Sequence, residues 1–280
     1  MSSNSHRNFV KVEAAPSHVV GPRLEHHLRL LSFNIQAGVE VQRFSHYVTR
    51  SWQHILPAKD KIKNLNRISS LLEDFDLVAL QEADGGSLRS GFVNQVEYLA
   101  RIGDFPYWYQ QCTRDLGHFG RYGNGLLSRI EPVDVEQHKL PGRVPGRGAI
   151  FLRYGDDDTQ LIVLNLHLAL GRAGQERQLG YIRDLINEYE HVVIMGDMNT
   201  HADYLLSKSA LRDCGLYSPA HGSSKTYPRW APKRTLDHIL VSDGIRVTDT
   251  WTPELTLSDH LPVAIELEMP ENFSIHRQAS

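Results

Sequence analysis

Four stretches of the chain end an apolar run on side chains that can bind a cation or move a proton. "LRLLSFNIQ" carries Asn34, "DLVALQEAD" carries Glu82, "LIVLNLHL" carries Asn165 and His167, and "VVIMGDMNTHAD" carries Asp197 and Asn199. Carboxylates and imidazoles are costly to bury beside apolar residues unless they are paired or bind an ion. Because this arrangement recurs at four strand ends, we predict that these side chains share one site.

Two further motifs add acids and a second imidazole to this set. Asp237 lies in "KRTLDHILVS", and the pair Asp259 and His260 lies in "LTLSDHLPVAIEL". Such residues imply either a bound cation or a proton-transfer network. Oxygen-rich ligands favour Mg²⁺ or its substitute Mn²⁺ over zinc. A cation of this kind suits phosphoryl chemistry, because it stabilises charge on phosphate oxygens and activates water.

The apolar runs between turn residues predict an α/β fold with many strands and few helices. We predict strands at 28–35, 76–81, 107–112, 123–128, 133–139, 148–154, 160–168, 191–196, 235–242, 245–251 and 262–268. Apolar residues at helical spacing predict helices at 60–74, 91–102 and 173–189. The helices are too few for a doubly wound sheet, so we expect a four-layer α/β sandwich, in which two packed mixed β-sheets are flanked by helices.

No linker divides the chain, and we predict one domain at 26–270 between a flexible N-terminal segment at 1–25 and a C-terminal tail at 271–280. The connection at 36–58 is long and aromatic, which is typical of either a short helix over the sheet or a lid that contacts substrate.

Composition narrows the classes of function. Lys and Arg number 30 against 33 Asp and Glu, for a net charge of −3, whereas proteins that hold duplex DNA through its phosphates usually carry a basic excess. Two cysteines cannot form a disulfide framework. The chain has neither a signal-peptide core nor about 18 consecutive apolar residues. We therefore expect a cytoplasmic protein without stable membrane insertion, and we predict that it is a monomer.

The order of the motifs resembles the endonuclease/exonuclease/phosphatase superfamily, which includes exonuclease III, pancreatic DNase, neutral sphingomyelinases and inositol polyphosphate phosphatases. The resemblance is carried by Asn34, "QE" at 81–82, "GNG" at 123–125, "NLHL" at 165–168, "GDMN" at 196–199, "LDHIL" at 236–240 and "SDH" at 258–260. It covers about residues 28–268 and implies the DNase-like version of the sandwich.

The resemblance also implies a role for each residue of the set. Glu82 would be the principal metal ligand, with Asn34 beside it and Asp259 completing or supporting the metal shell. Asp197 would orient or deprotonate the attacking water, and Asn199 would hold the phosphate or that water.

The remaining residues of the set would act on the phosphoryl group. His260 would contact its oxygens, and Asp237 would fix the His260 ring in its charged form. His167 matches a histidine typical of the sphingomyelinase and phosphatase branches, and Asn124 matches a position that lines the same pocket.

Basic and aromatic residues lie on two loops that we expect at the rim of this site. They are Arg143 and Arg147 in "PGRVPGRGAI", and Tyr227, Trp230, Lys233 and Arg234 in "SSKTYPRWAPKRTLD". Such a rim suits a phosphodiester with stackable or apolar neighbours. A solvated basic hairpin is the alternative.

We predict a Mg²⁺-dependent phosphoesterase that hydrolyses a phosphodiester, either a small or single-stranded nucleic acid or a phospholipid-like molecule. The alternatives are a phosphomonoesterase acting on a small metabolite and a non-catalytic binding module. "NIQAGVEVQRF" lacks the acidic residue or glycine-rich turn that follows this Asn in exonuclease III-like repair enzymes. That departure disfavours an abasic-site repair enzyme.

Overall fold

The computed structural model describes residues 26–36, 58–115, 120–142, 146–156, 159–220, 225–255, 257–269 and 273. Within these residues the strands are β1 (His27–Asn34), β2 (Leu77–Asp84), β3 (Tyr107–Asp115), β4 (Arg121–Ser128), β5 (Asp134–Lys139), β6 (Gly148–Gly155), β7 (Gln160–His167), β8 (His191–Asp197), β9 (Leu216–Tyr217), β10 (Asp237–Ser242), β11 (Arg246–Trp251) and β12 (Val263–Glu268). The α-helices are α1 (Ala58–Leu72), α2 (Gln95–Ile102), α3 (Arg172–Ile186) and α4 (Ala202–Ser207).

The strands form two six-stranded mixed sheets. One has the order β11-β12-β1-β2-β4-β3 and the other has the order β5-β6-β7-β8-β10-β9. Each sheet has one parallel pair near its centre, β1 with β2 and β7 with β8. The carboxyl ends of parallel neighbours meet at the same edge of a sheet, so each sheet places two of the predicted motifs side by side.

The apolar core has three layers that explain the alternation along the strands. Between the sheets, side chains such as Leu30 and Val163 are fully buried. On the outer face of the first sheet, α1 and α2 pack through residues such as Leu65 and Leu99, and α3 packs on the second sheet through residues such as Leu179. The four-layer α/β sandwich is therefore confirmed.

The eleven predicted strands are all present, and the sequence patterns missed β9, the short helix α4 and a 3₁₀-helix at Leu88–Ser90. The predicted helix at 91–102 begins only at Gln95. Its start is fixed by Asn94, whose side chain accepts hydrogen bonds from the backbone N–H groups of Val96 and Glu97.

Besides the C-terminal tail 271–280, of which only Phe273 is described, two of the predicted segments lie wholly or largely outside the described residues. These are the N-terminal segment 1–25 and the connection 36–58, of which only Gln36 and Ala58 are described. From the C-terminal tail, Phe273 is buried in the layer between the sheets. Among the helices of the described residues, none has the length and apolar character needed to cross a membrane.

Candidate active site

One carboxylate oxygen is the meeting point of the two sheets. Oδ2 of Asp197, at the end of β8, accepts a 3.1 Å hydrogen bond from Nδ2 of Asn34 at the end of β1. Nε2 of His167 lies 3.5 Å from the same oxygen, and Nε2 of His260 lies 3.9 Å from it. Asp197 is only 2% exposed. The structure thus brings together four residues that the sequence placed in one site.

Glu82 reaches this region through a bulge in β2. Leu80 pairs with Gly125 of β4, but Ala83 pairs with Gly123, so two residues of β2 face one of β4. Glu82 itself has a φ of 56°, in the left-handed region that side-chain-bearing residues seldom adopt. The bulge turns a carboxylate that would otherwise follow the regular alternation of the strand, and leaves it half-buried.

His260 and Asp237 form a buried ion pair. Nδ1 of His260 donates to the Asp237 carboxylate at 2.8 Å and 3.1 Å from its two oxygens. Burial alone would lower the pKa of His260, but the charge and hydrogen bond of Asp237, with the charges of Asp197 and Asp259, outweigh it and raise the pKa to about 10. The imidazole is therefore charged at neutral pH. Its Nε2–H is directed toward the Asp197 side of the site.

A hairpin formed by residues 225–236 holds both members of this pair. Oγ1 of Thr226 accepts hydrogen bonds from the backbone N–H groups of Leu236 and Asp237, at 3.1 Å and 3.3 Å. The Thr226 carbonyl accepts from the N–H of Leu261, immediately after His260. The pair is thus fixed through its backbone on both sides.

The aromatic ring of Tyr227 packs against His260, with 4.8 Å between the ring centroids. This contact restricts the orientation of the His260 ring. Stacking of Tyr227 on substrate, which the sequence predicts, stays a prediction.

Two of the carboxyl groups are poised to titrate near neutral pH. Burial, reinforced by the charge of Asp237, raises the pKa of Asp197 to about 7. Burial also raises the pKa of Asp259 to about 6, with a further contribution from the charge of Glu82. The charge of His260 acts in the opposite direction on both groups.

His167 is neutral, in contrast to His260. Burial lowers its pKa well below the usual value, and the charges of Arg147 and His260 lower it further. Its 3.5 Å approach to Asp197 is therefore not an ion pair, although the distance alone would permit one. Arg147 is half-buried, and burial lowers the pKa of its guanidinium while the charges of Glu82 and Asp197 partly restore it. Those couplings place Arg147 at the edge of the carboxylate cluster.

The loop after β8 is tied down so that Asp197 has a fixed orientation. The N–H of Asn199 donates to Oδ1 of Asp197 at 3.0 Å, and Nδ2 of Asn199 donates to the carbonyl of Leu168 at 3.0 Å. His238, on the opposite face of β10 from Asp237, contacts the carbonyl of Thr200 through Nε2 at 2.8 Å. These contacts fix the Asn199 side chain against the carbonyl of Leu168, and its contact with water or phosphate stays a prediction.

Gln36 is a residue of this site that the sequence reasoning missed. Its Nε2 donates to Oδ2 of Asp259 at 3.3 Å, and its N–H donates to Oδ1 of Asn34 at 3.1 Å. Its Oε1 is buried without a hydrogen-bond partner among the described groups. The signal in the sequence that could have identified Gln36 is its position two residues after Asn34.

The donor set around Gln36 fits a hard divalent cation. The carboxylates of Glu82 and Asp259 couple electrostatically, and the buried amide oxygen of Gln36 lacks a donor. Oxygen atoms of these kinds are ligands that Mg²⁺ and Mn²⁺ accept, and a cation would relieve both the repulsion and the unsatisfied oxygen.

A second group has its ligand atoms within 4.8 Å of one another, namely Asp197, Asp237 and His260. We do not assign a cation to this group as a whole. His260 already donates Nδ1–H to Asp237 and is charged, so it repels a cation rather than binding it.

The other predicted substrate-binding residues are less closely joined to the cluster. Nδ2 of Asn124 is used in a 2.8 Å hydrogen bond to the carbonyl of Gly148, which ties the two sheets together. Trp230 is half-buried in the turn of the hairpin, and Lys233 and Arg234 are exposed on it. Arg143 lies outside the described residues. Their contact with substrate stays a prediction.

Comparison with known structures supports the same fold. An endonuclease/exonuclease/phosphatase from Beutenbergia cavernae is 19% identical with a TM-score of 0.67, and the match covers 87% of this chain and 72% of that one. A protein of the same description from Bacteroides vulgatus is 19% identical with a TM-score of 0.63, covering 87% and 99% of the two chains. A mannosyl-6-phosphatase from Bacteroides thetaiotaomicron is 17% identical with a TM-score of 0.57, covering 86% and 99%.

Comparison of sequences gives the family. A search of curated protein sequences gave no match. The model of the Endonuclease/Exonuclease/phosphatase family, whose members are typically phosphoester hydrolases, matches residues 31–260. With that match over most of the chain, and with the two-sheet fold and the assembled motifs, the chain belongs to the endonuclease/exonuclease/phosphatase family.

Proposed function

We propose that this protein is a divalent-metal-dependent phosphodiesterase. Its substrate would be a small or single-stranded nucleic acid or a phospholipid-like diester. The observation that carries the proposal is the juxtaposition at Asp197. A buried carboxyl group with a pKa of about 7 lies 3.9 Å from the Nε2 of a charged histidine, His260. A proton acceptor and a cationic donor at one point are what attack of water on a phosphate requires.

Asp197 would accept the proton of the attacking water. A general base works best when its pKa lies near the pH of the reaction, and burial with the charge of Asp237 brings Asp197 to that range. Hydrogen bonds from Asn34 and from the N–H of Asn199 occupy one position on each carboxylate oxygen. They fix the direction in which the remaining lone pairs face.

His260 and Arg147 would stabilise the charge that develops on the phosphoryl oxygens. His260 keeps its proton because Asp237 holds Nδ1–H, which leaves Nε2–H as a donor. Preorganised donors of this kind are among the largest contributors to catalysis. His167 is neutral and can donate or accept a hydrogen bond at the same group without changing the charge of the site.

Glu82, Asn34 and Asp259 are the proposed ligands of Mg²⁺, for which Mn²⁺ could substitute, and Gln36 lies among them. When bound, the cation would supply positive charge to the phosphate oxygens and lower the pKa of water. Around it, Gln36 positions the Asp259 carboxylate through its amide N–H.

Replacement of Glu82 tests the metal assignment. Glu82→Gln keeps the volume of the side chain and removes its charge, so it should weaken Mn²⁺ binding and lower the hydrolysis rate by about 100-fold or more. Glu188→Gln makes the same chemical change at an exposed position in the turn after α3 and should alter neither quantity. An unchanged rate together with unchanged metal dependence in Glu82→Gln would overturn the assignment.

A substrate panel tests the reaction class. Plasmid DNA, a single-stranded oligonucleotide, sphingomyelin, a lysophospholipid, bis(p-nitrophenyl) phosphate and a sugar phosphate would each be incubated with Mg²⁺. We expect the diesters to be hydrolysed faster than the sugar phosphate.

A phosphomonoesterase acting on a small metabolite is the second candidate, because a structure with this fold carries the name mannosyl-6-phosphatase. Preferential hydrolysis of the sugar phosphate would establish it. Absence of turnover with every substrate would favour a non-catalytic binding module, which the complete set of acids and amides disfavours. The cytoplasmic location and the monomeric state also stay predictions.

A further inference from the structure

The bulge that presents Glu82 is filled from the opposite sheet. Asn165, on β7, is fully buried. Its Nδ2 donates to the carbonyl of Leu80 at 3.0 Å and to the carbonyl of Gly125 at 2.6 Å. These two residues form the last regular pair of β2 and β4 before the register shifts. One amide nitrogen therefore spans both strands at the point where the bulge begins.

The oxygen of the same amide binds the first residue of the bulge. Nε2 of Gln81 donates to Oδ1 of Asn165 at 2.8 Å. The Asn165 amide group thus uses both of its N–H donors and its oxygen at the bulge. The donors bind the carbonyls of Leu80 and Gly125, and the oxygen binds the side chain of Gln81, which precedes Glu82. A buried amide with all its groups directed at one irregularity is a specific device, since an apolar residue would pack there without fixing the backbone.

The placement of Asn165 along β7 links this device to the rest of the site. His167 lies two residues later on the same strand and therefore on the same face, and it pairs with Asp197 of β8. The strand that carries His167 is thus also hydrogen-bonded, through Asn165, to the strand that carries Glu82. The distance between His167 and Glu82 is therefore set by contacts in the layer between the two sheets.

We propose that Asn165 is a positioning residue, which holds the β2 bulge in the backbone conformation that directs Glu82 toward its cation. The inference rests on the proposed function in one respect, the assignment of Glu82 as a metal ligand. The left-handed φ of Glu82 is unfavourable by itself and persists only where the surroundings enforce it. Asn165 supplies three of the contacts that enforce it.

The experiment compares Asn165→Leu with Val163→Ala. Leucine is close to asparagine in size and lacks the donors and the acceptor. Val163 is fully buried between the sheets two residues earlier on β7, so Val163→Ala perturbs the same core without touching the bulge. The affinity for Mn²⁺ would be measured by the electron paramagnetic resonance signal of free Mn²⁺, and kcat and KM with bis(p-nitrophenyl) phosphate.

We expect Asn165→Leu to lose about 10- to 100-fold in Mn²⁺ affinity, the usual scale for residues that orient metal ligands. Its kcat should fall in parallel. Val163→Ala should lower the melting temperature, but its Mn²⁺ affinity should stay within about twofold of that of the parent protein. A difference of that size is within the error with which such substitutions are compared. Mn²⁺ affinity in Asn165→Leu equal to that of Val163→Ala would overturn the proposal, because a merely structural role would affect both variants alike.

A double substitution separates this proposal from the function on which it rests. If Asn165 acts through Glu82, Glu82→Gln combined with Asn165→Leu should bind Mn²⁺ no more weakly than Glu82→Gln alone. Losses that multiply would refute the positioning role. Unchanged affinity in Glu82→Gln would instead refute the metal assignment. If Asn165→Leu does not fold, Asn165→Ser, which is smaller and keeps one hydroxyl donor, is measured in the same comparison with the same criteria.

Discussion

The ion pair between Asp237 and His260 gives a prediction about stability whose dependence on pH has a definite sign. The metal-free protein, kept in EDTA, is the appropriate form, because the charges of the chain then act without a cation. In it the pKa of His260 rises from the ordinary 6.5 to about 10. A raised pKa in the folded state stabilises the fold fully below the unfolded value and loses this contribution as pH rises through the folded value.

The size of the contribution follows from the same numbers. A rise from 6.5 to about 10 at about 1.4 kcal/mol per pKa unit gives an upper limit of about 5 kcal/mol. Two effects of Asp237→Asn reduce it. First, the substitution removes a charge that raises the pKa of Asp197. Second, His260 can lose its proton in the variant, and a neutral imidazole is less costly to bury than a charged one. We therefore expect a loss of about 3 kcal/mol in the free energy of unfolding near pH 6.5, at the low end for breaking one partner of a buried pair.

Urea denaturation in EDTA at about pH 6.5, 8 and 10 measures this loss, with Asp243→Asn as a control for an exposed acid at the end of the same strand. The difference between the parent protein and Asp237→Asn should fall to less than about 1 kcal/mol by pH 10, because His260 loses its proton in the parent as well. Asp243→Asn should show no such trend. A difference of equal size at all three pH values would refute the reasoning.

Four further outcomes follow from the site. Replacing Asp197 and His260 together by Ala should lower kcat hardly more than the worse single replacement, since residues that act on one water and one phosphoryl group are not additive; strictly multiplying losses would make one of them structural. Mn²⁺ affinity should rise between about pH 5 and 8, because the carboxyl groups of Asp197 and Asp259, with pKa values of about 7 and 6, must lose their protons near the cation. Calorimetric titration at constant ionic strength measures this affinity, and an affinity that does not change with pH would contradict the prediction. Thr226→Val leaves two buried N–H groups without their acceptor and should lower the free energy of unfolding by about 1–3 kcal/mol. Urea denaturation measures this loss, and an unchanged free energy of unfolding would show that water replaces the hydroxyl. Trp230→Ala should slow hydrolysis of a single-stranded or lipid-like diester far more than that of bis(p-nitrophenyl) phosphate, whereas fastest cleavage of duplex DNA with a steep salt dependence would show that the rim and charge arguments are wrong.

Strand positions and the convergence of the motifs could be predicted because both depend on patterns that are local in the sequence. Buried strands appear as apolar runs, and polar residues at their carboxyl ends stand out against them. The sequence places Asn34, Asp197 and His167 together for this reason, and in the structure Asn34 and His167 both approach Oδ2 of Asp197. The short helix α4 and the two-residue strand β9 offer too few residues for a period to appear.

Other features of the site depend on register and on contacts between distant segments, which no local pattern contains. The bulge at Glu82 is visible only when β2 is aligned against β4. Tyr227 looked like part of a solvated or substrate-binding rim, but the turn of its hairpin packs its ring on His260. The sequence places Asn165 at a strand end of the site but does not predict its contacts, because its three partners lie 40 or more residues away along the chain.

The architecture makes the site sensitive to the layer beneath it. Asn34 pairs with Gln81 across the parallel strands of one sheet, and His167 pairs with Asp197 across those of the other. Each sheet therefore fixes the spacing within its own pair of strand ends, but neither fixes the distance between the pairs. That distance is set where polar groups bridge the sheets: by Asn165 at the β2 bulge, by the bond of Asn124 to the carbonyl of Gly148, and by the bond of Asn34 to Asp197 itself. Substitutions that shift these bridges should alter the chemistry while the two sheets stay folded, because the apolar core that holds the sheets together is much larger than the bridges that align them.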